Sequence, residues 1–192
     1  MQALSCWFKR ARVMAERTLT TERWIFGTTY AALMVLLMLL HLVPLSTAPG
    51  RIPGPDFMLC ITLAWMLRRP DFLPATLVAA LFLLADLFFM RPIGLFAALV
   101  VLAAEFLRAR EPATREQTFL AEWLMVSTVL LSLTMANRLI LGVFWVEQVT
   151  FGLAVVKLLA TVAAYPLVVL GSRLIFGIAK LSANEAEVRG RL

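Results

Sequence analysis

Three charged residues sit where charge is expensive. Asp86, Arg138 and Lys157 each lie inside a long apolar block of the chain, and a charge at such depth calls for a functional or structural partner. Asp86 is about five residues from the end of its block, Arg138 lies at a similar distance from the end of its own, and Lys157 is about nine residues into the last block. All three depths fall in the same half of a bilayer. An ion pair or triad among them would cancel uncompensated charge and clamp three helices together, and this intramembrane charge clamp is the candidate site. The other polar residues promise less. Glu105 and Glu122 sit near the inner ends of the fourth and fifth blocks, within reach of headgroup water or Arg108 and Arg110, where a surface ion pair of small energy is expected. His41 is the single histidine, so a His-rich metal site cannot be built. A Ser–His dyad would need His41 to face Ser127, Ser132 or Ser172, none of which lies in a Gly-x-Ser-x-Gly elbow. Cys6 and Cys60 are far apart and suggest neither a disulfide nor zinc. No Walker loop or glycine-rich nucleotide fingerprint is present. The expected catalytic residues, metal ligands and cofactors are therefore none.

The elements that must position these groups follow from composition. The chain has 192 residues, of which 61% are hydrophobic and 16% charged, and its mean hydropathy is +0.87. A soluble domain is roughly 45–50% apolar and about 25% charged, and a chain this short has too much surface to hide the excess. A bilayer is the natural solvent. Six apolar blocks can be marked: Trp24–Val43, Phe57–Leu67, Phe72–Met90, Ile93–Leu107, Phe119–Leu141 and Val149–Leu170. Crossing a ~30 Å hydrocarbon core takes about 20 helical residues. The second and fourth blocks are short and must borrow flanking residues. The loop Pro44–Pro55 is turn-rich, and no internal repeat suggests an inverted-repeat transporter.

Orientation follows from Lys and Arg, which stay on the cytoplasmic side. With six spans and the N-terminus inside, Lys9, Arg10, Arg12, Arg17, Arg23, Arg68, Arg69, Arg108, Arg110, Arg115, Arg173, Lys180, Arg189 and Arg191 are cytoplasmic. Only Arg51 and Arg91 are external. If the short second block failed to cross, most of these charges would change sides, so the block is expected to cross. The formal net charge of +6 is dispersed between apolar blocks and forms no single basic face, which excludes nucleic acid as a partner. The expected organisation is a basic cytoplasmic segment over residues 1–23, a six-span membrane domain over 24–176, and a cytoplasmic tail over 177–192. Trp7–Trp24 fits either an amphipathic helix on the inner leaflet or an ordinary positive flank. In the last block Thr150, Ala154, Lys157, Thr161, Ala164 and Ser172 recur at helical spacing, and in the fifth Ser127, Thr134 and Arg138 share a face. Such small and hydroxyl residues suit close helix packing and could equally line a cavity.

Two stretches go beyond composition. One is Pro55-Asp56-Phe57-Met58-Leu59, an apolar run, and Arg68-Arg69-Pro70. The other is Ala85-Asp86-Leu87-Phe88 followed by Pro92-Ile93-Gly94-Leu95-Phe96-Ala97-Ala98-Leu99. With Tyr165-Pro166 ahead of Arg173, this order resembles the rod shape-determining protein MreD family. That family shows a proline-opened second span, a Gly-x-x-x-Asp-Leu region and a Leu-Gly-x-x-Ala-Leu segment. Here Phe82–Ala85 fill the turn where a glycine often precedes the aspartate. The resemblance implies an all-α integral membrane protein of the bacterial inner membrane. Its six transmembrane helices would form one compact bundle, similar to the substrate-binding component of energy-coupling-factor transporters. It implies a non-enzymatic scaffold of the cell-elongation complex that builds lateral peptidoglycan. The implied partners are MreC, MreB, and RodA with its class B penicillin-binding protein, besides membrane lipids. The alternative is a small-molecule binding or transport subunit resembling an energy-coupling-factor substrate component, because fold likeness does not fix function.

Overall fold

A computed structural model describes residues 23–42, 54–70, 73–114, 118–146 and 148–176, with the side chains of 111–114, 175 and 176 left out. The basic segment with Cys6, most of the Pro44–Pro55 loop and the tail lie outside the described residues. Among those described there is no strand. Six helices follow one another: α1 Arg23–Leu42, then α2 Phe57–Arg68, α3 Ala75–Phe88, α4 Leu95–Thr114, α5 Phe119–Val143 and α6 Phe151–Phe176. Each apolar block of the sequence has become one helix. α4 runs past its block through Arg108 and Arg110, so the first part of the expected cytoplasmic loop is helical. By length and apolarity three helices can cross a membrane unaided: Arg23–Leu42, Phe119–Val143 and Phe151–Leu174.

The direction of each helix can be read from the side chains that join it to the next. Going down α2, Asp56 meets Thr161, Cys60 meets Thr161, and Trp65 meets Ser172. Residue numbers rise together, so α2 and α6 are parallel. Between α5 and α6 they run oppositely: Glu122 meets Tyr165, Trp123 meets Val162, and Arg138 meets Val149. Asp86 at the end of α3 touches Gly94 and Ala97 at the start of α4, while Arg108 near the end of α4 donates to the Leu73 carbonyl just before α3. The His41 ring at the end of α1 packs edge-on against Phe89 after α3, centroids 4.8 Å apart. Arg91, just after α3, lies close enough to Asp56, just before α2, to interact with it electrostatically, so odd helices point one way and even helices the other.

α2 is the axis of the bundle. Every residue from Met58 to Arg68 is buried, and α2 packs against both α4 and α6. Its sequence, FMLCITLAWMLR, has no polar face to give to solvent. The side chain of Asp56 starts it, its Oδ1 accepting from the Leu59 amide at 3.3 Å, as an N-cap aspartate does. α1 attaches through Tyr30, whose hydroxyl lies 2.8 Å from that of Thr62 and whose ring is 5.8 Å from Trp65. Outside this core the helices present large apolar side chains, among them Leu36, Leu87, Leu102, Leu124, Leu159 and Leu167. In water such a surface would drive aggregation; facing acyl chains it costs nothing.

Pro166 lies inside α6. It has no N–H, so it leaves the carbonyl four residues back, that of Val162, without its helical donor. The indole of Trp123 on α5 fills the position, donating to that oxygen at 3.0 Å. A neighbouring helix thus repairs the break, which is how proline is tolerated in membrane helices.

Candidate functional site

Asp86, Arg138 and Lys157 do not form one clamp. Each has its own partner, and the triad expected from sequence is corrected on that ground. Asp86 is fully buried, and its Oδ2 accepts from the amides of Gly94 and Ala97, both at 3.2 Å. It caps the start of α4, where unsatisfied amides and the positive end of the helix dipole favour a carboxylate. The geometry depends on the turn between α3 and α4. Met90 and Gly94 both take positive φ there, 52° and 88°, and Gly94 supplies that backbone without strain. Sequence reasoning assumed that a buried anion needs a side-chain cation. Here backbone dipoles supply the compensation at a separation of only eight residues.

Lys157 pairs instead with Asp56, Nζ to Oδ2 at 3.2 Å. Asp56 is thereby held three ways: it caps α2, binds Lys157, and donates its own amide to the Thr161 hydroxyl at 3.0 Å. Thr161 in turn donates to the Lys157 carbonyl at 2.7 Å. The start of α2 is thus riveted to α6. Asp56 lies outside the apolar blocks, in a proline-rich segment. Its place just before an apolar run was the available signal.

Arg138 stands apart, donating to the Val149 carbonyl at 3.1 Å with its guanidinium 5.5 Å from the centre of the Phe151 ring.

At the opposite end of α2 lies the most buried charge pair. Arg68 and Glu122 meet at 2.7 Å with side chains 4% and 0% exposed. The Tyr165 hydroxyl donates to the same Glu122 oxygen at 2.9 Å, and Arg68 also reaches the Ala64 carbonyl at 3.4 Å. Three helices, α2, α5 and α6, converge on one carboxylate oxygen. Glu122 was expected at the surface beside Arg108 or Arg110, and the structure corrects that: it lies in the first turn of α5, on the same face as Val126, Val129, Leu130 and Leu133. That apolar face is the buried one. Ser127 and Thr134, expected to mark it, bond to carbonyls of their own helix. Glu105 behaves as expected, pairing with Arg108 at 2.9 Å in a half-exposed position.

The stripe on α6 is inward only in part. Thr161, Ala164 and Ser172 are buried, Lys157 is half-buried and Thr150 exposed. Its hydroxyls serve α2: the Trp65 indole donates to Ser172 at 3.1 Å. Cys60 is fully buried, its Sγ 3.3 Å from the Thr161 carbonyl. His41 is committed to Phe89, and Ser127, Ser132 and Ser172 all bond elsewhere. Among the described residues no group of three His, Cys, Asp or Glu side chains is placed to hold a metal.

Among the described residues the buried polar side chains are thus spent on joining helices. Two inter-helix rivets sit at the two ends of α2, Asp56–Lys157–Thr161 and Arg68–Glu122–Tyr165, and a third connection, Asp86, sets the α3–α4 turn. The chain matches no protein-family model, and neither curated proteins nor solved structures give a match.

Proposed function

We propose that this protein is a membrane scaffold, a subunit that holds other membrane proteins of the bacterial cell-elongation complex in place. One observation carries the reading. The residues on which the chain resembles MreD-like proteins are those that fix its helices to one another. Asp56 opens α2 and anchors it to α6, and Arg68 closes it onto α5. Asp86, Gly94 and Ala97 form the α3–α4 junction, and Tyr165 completes the inner rivet. A set of residues that maintains a rigid body, surrounded by apolar faces at lipid depth, suits a protein whose output is a surface for neighbours. On this reading the partners are MreC, MreB, and RodA with its class B penicillin-binding protein.

The same reading takes all six helices as spans in the bacterial inner membrane, with both termini cytoplasmic. The alternation of helix directions supports it, as does the side on which Lys and Arg fall. α2 is only 12 residues long, about 18 Å. That is too short for a lipid-facing span but not for one sheathed in protein.

Affinity purification of the full chain from native membranes tests the proposal. Stoichiometric recovery of the cell-wall synthesis proteins is expected. Recovery of an ATPase partner with a bound small molecule would replace the scaffold by the transport-subunit reading.

A further inference from the structure

We propose that the cleft between the end of α5 and the start of α6 seats the phosphate of an anionic phospholipid, with Arg138 as its principal ligand. The cleft has a volume of about 390 Å³ and is lined by Met135, Arg138, Leu139, Val146, Gln148 and Phe151. Four of these walls are apolar and two are hydrogen-bond donors, the composition that fits an amphiphile.

Arg138 is held ready. It lies five residues before the end of α5, about 7.5 Å along the helix axis, and its side chain reaches outward to the Val149 carbonyl at 3.1 Å. This is how a long basic side chain near a helix end brings its charge to headgroup level. The Phe151 ring, 5.5 Å from the guanidinium carbon, sets its plane. Gln148 is fixed alongside, its amide donating to the Arg138 carbonyl at 3.0 Å.

Among the described residues nothing neutralises the charge. A carbonyl oxygen takes up one N–H, and no carboxylate among the described residues pairs with the guanidinium. Three other charges set inside helices are compensated within the protein: Lys157 by Asp56, Arg68 by Glu122, Asp86 by amides. A phosphate would complete Arg138 in the same way, by charge-assisted hydrogen bonds to its planar fork. A lipid is favoured over a soluble anion by the walls. Leu139 is 71% exposed and Phe151 59%, so the cleft continues into apolar surface on which an acyl chain lies. The inference does not depend on the scaffold reading. It requires only that α5 and α6, both long and apolar enough, cross the bilayer.

Native mass spectrometry of the full-length protein in mild detergent tests it. The probes are phosphatidylglycerol, phosphatidylcholine of the same acyl chains, and inorganic phosphate. Wild type is expected to retain phosphatidylglycerol over phosphatidylcholine and to hold no inorganic phosphate at equal concentration. Arg138→Gln should weaken phosphatidylglycerol retention about tenfold or more, the value of a hydrogen-bonded charge. Leu139→Ala, which removes apolar wall without placing a charge at bilayer depth, should also weaken it. Unchanged retention in either variant overturns the proposal, and so does equal retention of phosphatidylcholine. Binding of inorganic phosphate as strong as that of the lipid assigns the cleft to a soluble anion and overturns it too.

Discussion

Two ion pairs of this protein have nearly the same length and should differ several-fold in what they contribute. Arg68–Glu122 spans 2.7 Å with side chains 4% and 0% exposed. Arg108–Glu105 spans 2.9 Å with side chains 31% and 42% exposed. Glu105→Gln leaves a cation that water can solvate, so its cost is within about 1 kcal/mol. Glu122→Gln keeps an oxygen for Tyr165 and Arg68 but removes the negative charge, so the Arg68 cation stays buried without its counter-ion. Breaking a buried pair from one side costs about 3–5 kcal/mol. Replacing the whole group is different. In Arg68→Met, Glu122→Leu, Tyr165→Phe both charges and the hydroxyl of the group are removed together, and the triple variant should fall within about 1–2 kcal/mol of wild type. Tyr165→Phe alone removes one hydrogen bond to a charged acceptor, about 1.5–3 kcal/mol. Unfolding free energies from steric trapping in bicelles would rank the variants. Glu122→Gln no worse than Glu105→Gln would refute the account of the buried site. A triple variant as unstable as the sum of its singles would show that the three residues act independently.

Two further predictions concern geometry. Asp86→Leu should lose the α4 cap, about 0.5–2 kcal/mol, whereas Asp86→Asn keeps an accepting oxygen and should lose less; because Asp86 and Lys157 have separate partners, a cycle with Lys157→Met should be additive to within about 0.5 kcal/mol in the same assay, and coupling of a kilocalorie or more would restore the shared clamp. In a background lacking Cys6 and Cys60, a cysteine at position 48 should react with an impermeant maleimide from outside and one at 113 only after permeabilisation, and the reverse pattern would discard the proposed topology.

The helices were legible because their signal is a sum. Twenty apolar residues in a row, or a dozen bounded by proline and arginine, overwhelm any local detail, and the blocks matched α1–α6 to within a few residues at most ends. The partners of the charges were not legible, because each is one contact against many. Depth correctly placed Asp86, Arg138 and Lys157 in the interior of blocks, yet depth does not give azimuth. Two features carried a signal: an aspartate six residues before a Pro-Ile-Gly turn has backbone amides within reach, and an aspartate just ahead of α2 is an N-cap. Glu122 was misjudged for another reason. Three residues into a helix, beside an arginine-rich loop, it reads as surface, and only packing shows that Arg68, rather than solvent, is its neighbour.

The contacts that bury α2 come from very far along the chain. Asp56 waits for Thr161, Cys60 for the Thr161 carbonyl and Trp65 for Ser172, separations of 105, 101 and 107 residues. During synthesis the second helix therefore leaves the ribosome about a hundred residues before α6, one of the two helices that cover it, exists. With its short apolar length and an arginine at its end, it is a poor client for lateral release into lipid by itself. Biogenesis must hold it, at the insertion machinery or against α1, until α6 arrives. Order of synthesis and order of closure are opposed in this protein: the last helix made completes the environment of the second. A chain truncated before α6 would lose the Asp56 rivet entirely and the Tyr165 member of the other, and should be recognised by membrane quality control as unfinished however well its first helices have inserted.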